Sequence, residues 1–108
     1  MAKTMQEIQK EVDTYISQYE EGYFPPMSLI VRMTEELGEL AREVNHVYGE
    51  KKKKPIEETG SIEMELGDLL FVIICMANQL NINLDEAFQK VMHKYNTRDK
   101  ERWTKKTT

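Results

Sequence analysis

From Leu69 to Ala77 the chain reads Leu-Leu-Phe-Val-Ile-Ile-Cys-Met-Ala, an unbroken apolar run. A helix that is apolar on every side is a buried helix. Just before the run stand Glu65 and Asp68, three residues apart and therefore on one helix face. At about 100° per residue that face continues through Leu69, Val72 and Met76. Two carboxylates thus sit at the polar end of a face that runs into the core. Burying an unpaired carboxylate is very costly, so such groups are paired or bind metal. For this pair alone, solvated acids favoured by the dipole at a helix start would be a sufficient account.

A second cluster weakens that account. Glu35, Glu36 and Glu39 fill one narrow arc of another helix, with Glu43 one turn further on the same side. The arc lies beside the apolar stripe of Ile30, Met33, Leu37, Leu40, Ala41, Val44 and Val47. Carboxylates at the edge of a core face can point into a cleft between helices, as a metal site in a bundle requires. Two such clusters facing each other call for a hard divalent cation with oxygen ligands, Mg2+ or Mn2+.

Periodicity places four helices and no strand. The first runs from about residue 5 to 20, opening on a capping box of Thr4 and Glu7 and stopping near Gly22. Tyr23-Phe24-Pro25-Pro26 is a connector, since a residue before proline is pushed out of the helical region. Its aromatics are expected to pack beneath the connector; stacking on a base is the other use of such rings. The second helix spans about Met27 to Tyr48, the third about Ser61 to Leu80. The fourth follows Asn83 as N-cap and ends between 96 and 102. Between the second and third, Gly49 to Gly60 holds Lys51 to Lys54 and Pro55, an exposed loop by composition.

At 108 residues the chain is one all-α domain, 1–108, with a basic tail from about 99. A core this small leaves the apolar run needing burial against other subunits. The net charge of -4 argues against general nucleic-acid binding, although residues from Lys90 onward carry seven Lys or Arg against Asp99 and Glu101. Cys75 lies alone in the apolar run and reads as a small buried hydrophobe. Nothing at the amino terminus resembles a signal peptide, and the apolar run is far short of the ~20 residues that span a bilayer. A cytoplasmic protein without membrane contact is expected.

Glu35-Glu36-x-x-Glu39 followed by Glu65-x-x-Asp68 resembles the signature of the MazG-like nucleotide pyrophosphohydrolases, in the all-α NTP pyrophosphatase superfamily. The surrounding words Leu37-Gly38-Glu39-Leu40-Ala41 and Glu65-Leu66-Gly67-Asp68-Leu69-Leu70 match as well. The likeness covers most of the chain, roughly Ile30 to Arg98, with a single copy of the motifs. It implies a four-helix-bundle-like, oligomeric MazG-type domain that hydrolyses a nucleoside triphosphate between the α and β phosphates. By the same resemblance Glu36, Glu39, Glu65 and Asp68 are Mg2+ ligands, and Glu35 binds metal or orients the attacking water. Glu35, Glu36 and Glu39 are accordingly the candidate catalytic carboxylates.

The chemistry fits independently: a divalent cation neutralises phosphate charge and activates water, a free carboxylate takes the proton, and basic groups stabilise the leaving pyrophosphate. Lys90, Lys94 and Arg98 recur every fourth residue on one side of the fourth helix and are, with Asn96, the candidate phosphate-binding residues. The family's assembly implies a homotetramer built as a dimer of dimers, with a dimer as the alternative, and a cleft completed by a neighbouring chain. The competing reading is a non-catalytic helical assembly or regulatory protein with a structural divalent cation. A ferritin-like redox site is disfavoured, because neither His46 nor His93 stands in Glu-x-x-His spacing to a motif acid; both are read as solvated. Trp103 either contacts the base or docks the tail.

Overall fold

The computed structural model describes residues 2–49 and 61–107. The Lys51–Lys54 loop therefore lies outside the described residues. Four helices follow in order: α1 (Met5–Ile16), α2 (Pro26–Tyr48), α3 (Ile62–Gln79) and α4 (Leu84–Thr97). Each start has a local cause. Thr4 accepts from the Glu7 amide while the Glu7 side chain accepts from the Thr4 amide, the reciprocal capping box expected of α1. Pro26 takes the first position of α2, where its missing amide costs nothing. Ser61 and Asn83 cap α3 and α4 by accepting from the Met64 and Glu86 amides.

The first helix ends earlier than its periodicity predicts. After Ile16 the chain tightens into i→i+3 bonds, Gln18 to the Tyr15 carbonyl and Tyr19 to Ile16, and Gly22 then turns at φ 61°. These bonds satisfy carbonyls at the helix end and keep Tyr15 and Tyr19 roughly on one side. The end of α3 is sharper. Asn81 adopts φ 56°, its amide bonds the Asn78 carbonyl at 3.2 Å, and the Ile82 amide reaches Ala77 at 2.8 Å. This is a Schellman stop with asparagine in the left-handed position. It throws α4 off at 105° to α3.

Packing is mainly α2 against α3, with α1 laid over α3 and α4 docked on α1. Val12, Leu29, Val72, Ile74 and Cys75 form the core, flanked by Ile8, Ile16, Tyr23, Met33 and Met76. A polar lattice locks the seams. The Gln9 amide nitrogen donates to Asn78 Oδ1 and the Ile82 carbonyl, while its oxygen accepts from the Leu84 amide. Asn78 Nδ2 donates to the Gln9 carbonyl and the Tyr23 hydroxyl, and that hydroxyl donates to Asp13 at 2.8 Å. Burial, with Asp13 beside it, pushes the Tyr23 phenol up to about 12.

Two expectations need correction. Most of the apolar stripe of α2 does not face the core: Ile30, Leu37, Val44 and Val47 are exposed, Met33 packs against the core, and Leu29, Glu36 and Glu43 are buried. Those three recur every seventh residue, so the seam with α3 follows a coiled-coil period and carries the acids. Nor is the 69–77 run buried all round. Val72, Ile74, Cys75 and Ala77 are buried, yet Leu70, Phe71 and Ile73 remain at least a third exposed. One chain supplies neighbours for only one side of α3. The exposed area, 9214 Å², compares with about 6,200 Å² for a compact monomer of this mass.

Candidate metal and phosphate site

The seam between α2 and α3 brings the two acidic motifs together. Glu36 of α2 and Glu65 and Asp68 of α3 each present a carboxylate oxygen within 4.8 Å of the others. Glu36 arrives there because it shares the heptad face with Leu29, and Glu65 with Asp68 because both begin the face that continues through buried Val72. Glu36 is 6 % exposed, Glu65 is half-buried and Asp68 is open to solvent. The site therefore has a buried floor and an accessible rim.

The electrostatics are those of a cage lacking enough positive charge of its own. Arg32, one turn before Glu36, donates from Nε to Glu36 Oε1 at 3.0 Å. The other oxygen of Glu36 and Oε2 of Glu65 are buried without a hydrogen-bond partner. Desolvation raises the Glu65 carboxyl above its ordinary range, and the negative charges of Glu39, Asp68 and Glu36 push the same way. A divalent cation fits these residues: the donors are all hard carboxylate oxygens, and two of them are orphaned at the point where the three side chains converge.

Glu39 stands beside Glu65, near enough for its charge to act there, though outside the tight trio. Glu35 is exposed on the motif's outer edge and adds its charge near Arg32. The basic candidates lie elsewhere in the chain. Lys90, Lys94, Asn96 and Arg98 belong to α4 and its cap, and α4 packs on α1. Lys94 sits over the Tyr95 ring at 4.9 Å, and Arg98 pairs with Asp99 at 3.5 Å. Trp103 is exposed, with Arg102 against its ring, so it does not dock the tail on the core. The ring nitrogens of His46 are buried, which corrects its reading as solvated. Arg32 is the residue that motif reading missed; its i,i+4 spacing to Glu36 was the available signal.

The model of the MazG nucleotide pyrophosphohydrolase domain matches residues 24–103, well over half of the chain and both carboxylate motifs. The chain belongs to the MazG family. A curated relative, the uncharacterised protein YpjD of Bacillus subtilis (strain 168), is 64% identical over 104 residues, covering 96% of this chain and 94% of the relative. The fold is similar to the crystal structure of B. subtilis YpjD, with TM-score 0.81 and 61% identity over 90% of this chain and 99% of that one. It is also similar to the crystal structure of the Bacillus-conserved MazG protein, a nucleotide pyrophosphohydrolase, with TM-score 0.78 and 60% identity over 94% and 98% of the two chains. The MazG match thus spans the connector, both carboxylate helices, α4 and the start of the tail.

Proposed function

We propose that this MazG-family enzyme is a divalent-cation-dependent pyrophosphohydrolase that converts a nucleoside triphosphate and water to the monophosphate and pyrophosphate. The observation that carries this reading is the pair of buried, partnerless oxygens on Glu36 and Glu65, set within a carboxylate trio on facing helices. Glu36, Glu65 and Asp68, with Glu39 beside them, would hold Mg2+ or Mn2+. Bound there, the cation would neutralise phosphate charge and make nearby water easier to deprotonate. Arg32 keeps Glu36 aimed into the seam. Glu35, exposed at the edge, binds or orients at the water's side of the site, and a carboxylate free of other partners accepts the proton.

Lys90, Lys94, Asn96 and Arg98 are assigned to the phosphates. Because α4 packs on its own α1, the phosphate-binding role is best met in an assembly where α4 of one chain serves the carboxylates of another. The surface excess and the exposed faces of α2 and α3 support such an assembly, a homotetramer arranged as a dimer of dimers. The decisive experiment is pyrophosphate release from canonical and modified NTPs and dNTPs with Mg2+, with Mn2+ and with EDTA. Metal-dependent release of pyrophosphate with monophosphate is expected. Silence across the panel, with metal still bound, would leave the carboxylates a structural role.

A further inference from the structure

The amino ends of α1 and α4 meet, and each helix supplies an acceptor for the other's first turn. Asp85, the second residue of α4, accepts at Oδ2 from the amide of Gln6, the second residue of α1, at 2.9 Å. Gln9 Oε1 in turn accepts from the amide of Leu84, the first residue of α4, at 2.8 Å. A helix start leaves such amides without a partner of its own. Thr4 and Asn83 take the third-position amides, of Glu7 and Glu86, so caps and cross-bonds divide the two first turns between them. The Asp85 carboxylate thereby lies at the positive ends of two helix dipoles. Gln9 Nε2 adds a further tie by donating to the Ile82 carbonyl at 2.8 Å.

The rest of α4 has less to hold it. An open apolar groove of about 430 Å³ lies between Leu70 and Ile73 of α3 and Ala87, Phe88 and Val91 of α4. Phe88 is 61 % exposed and Val91 38 %. The direction of α4 is therefore set at its root, where it packs on α1. Lys94 stands about 14 Å beyond Asp85 along the axis, so a tilt of about 10° at the root carries it about 2 Å. A shift of that size separates a cation from a phosphate oxygen it must meet at hydrogen-bond distance. Helix initiation alone does not account for the Asp85 bond, because Asn83 already caps α4; what the bond fixes is the angle of α4 to α1. We infer that Asp85 is a positioning residue for phosphate binding, which aims Lys90, Lys94 and Arg98 by holding the amino end of α1. The inference rests on the assignment of those three residues to the phosphates. Its chemistry needs only an acceptor at the Gln6 amide, which Asp85→Asn keeps and Asp85→Ala removes.

The test uses the full-length protein and two probes. Mn2+ affinity, read by electron paramagnetic resonance, reports the carboxylate seam, and the affinity of inorganic tripolyphosphate, read by calorimetry with Mg2+ present, reports the phosphate-binding residues. Asp85→Ala should weaken tripolyphosphate about 10-fold, the value of one charge-assisted hydrogen bond, and leave Mn2+ affinity unchanged. Asp85→Asn should recover most of the loss. With Lys90, Lys94 and Arg98 all replaced by alanine, Asp85→Ala should have no further effect, since it acts through those side chains. Asp85→Ser, one bond shorter yet suited to a first helical turn, provides a second variant if Asp85→Ala fails to fold. Equal weakening of both probes in a folded variant, or a loss that persists in the triple-alanine background, would overturn the inference. Loss of tripolyphosphate in the triple variant but not in Asp85→Ala would overturn the positioning role and leave the phosphate assignment standing, whereas no loss in the triple variant would overturn both. The expected affinities without pyrophosphate release from any NTP would support the positioning role while overturning hydrolysis.

Discussion

Glu65 concentrates the chemistry of the site in one side chain. Its carboxyl is raised from the ordinary 4.5 by desolvation first, then by the charges of Glu39, Asp68 and Glu36. Between the ordinary value and the raised one the folded protein holds a proton that the unfolded chain has released. The metal-free protein therefore loses stability from this group as pH rises through that window, and gains it back as pH falls toward 4.5. Metal binding needs the deprotonated form, so its affinity should rise over the same interval. Carboxyl NMR titration should place Glu65 above its ordinary range, and Glu39→Gln should move it downward. For activity, Asp68→Asn and Glu39→Gln should each abolish pyrophosphate release while circular dichroism stays native. Arg32→Ala, which frees Glu36 but removes none of the trio's carboxylates, should cost about 10–100-fold, the range for residues that orient a ligand.

At the scale of elements, the junction between α3 and α4 sets where the basic helix goes. Asn81 holds a left-handed backbone there, and its neighbours complete the carbonyls of α3. Asn81→Gly should leave the urea midpoint nearly unchanged, while Asn81→Val should lower stability by about 1–2 kcal/mol, because a β-branched side chain fits the left-handed conformation far worse than asparagine does. The Gln9–Asn78–Tyr23 lattice holds the same junction from the inside. Asn78→Ala removes both donors to the Gln9 carbonyl and the Tyr23 hydroxyl, and should cost about 2–3 kcal/mol because those groups are left unpaired in a part-buried seam. Urea unfolding of the three variants measures each effect.

The whole molecule is an open arrangement of helices. Glu36, Glu65 and Asp68 lie in one seam, Lys90 and Lys94 lie on a helix that packs on α1, and α2 and α3 carry exposed apolar side chains. If one chain's α4 completes another's site, Asp68→Asn and Lys94→Ala chains, each impaired alone, should recover pyrophosphate release when unfolded together and reassembled. Chains acting alone would recover none. Val44→Lys, on the exposed face of α2, should reduce the sedimentation coefficient and activity together. No single helix among the described residues is long and apolar enough to cross a membrane.

The sequence by itself determined the four helices, because caps and periodicity are local. Thr4, Ser61 and Asn83 act within three residues of themselves. It also determined that Glu65 and Asp68 share a face, since residues three apart do so in any helix. Burial depends on which neighbour arrives, and that only the tertiary structure decided. The stripe of Leu37 and Val44 looked like a core face, yet α3 meets the face of Leu29, Glu36 and Glu43 one position away. A helix with apolar residues on most sides has more than one face to offer, and periodicity does not choose among them. Arg32's contact with Glu36 and the burial of the His46 ring nitrogens both follow from that choice. The packing of α4 on α1 follows from the turn at Asn81, which folds the helix carrying Lys90 and Lys94 back onto α1.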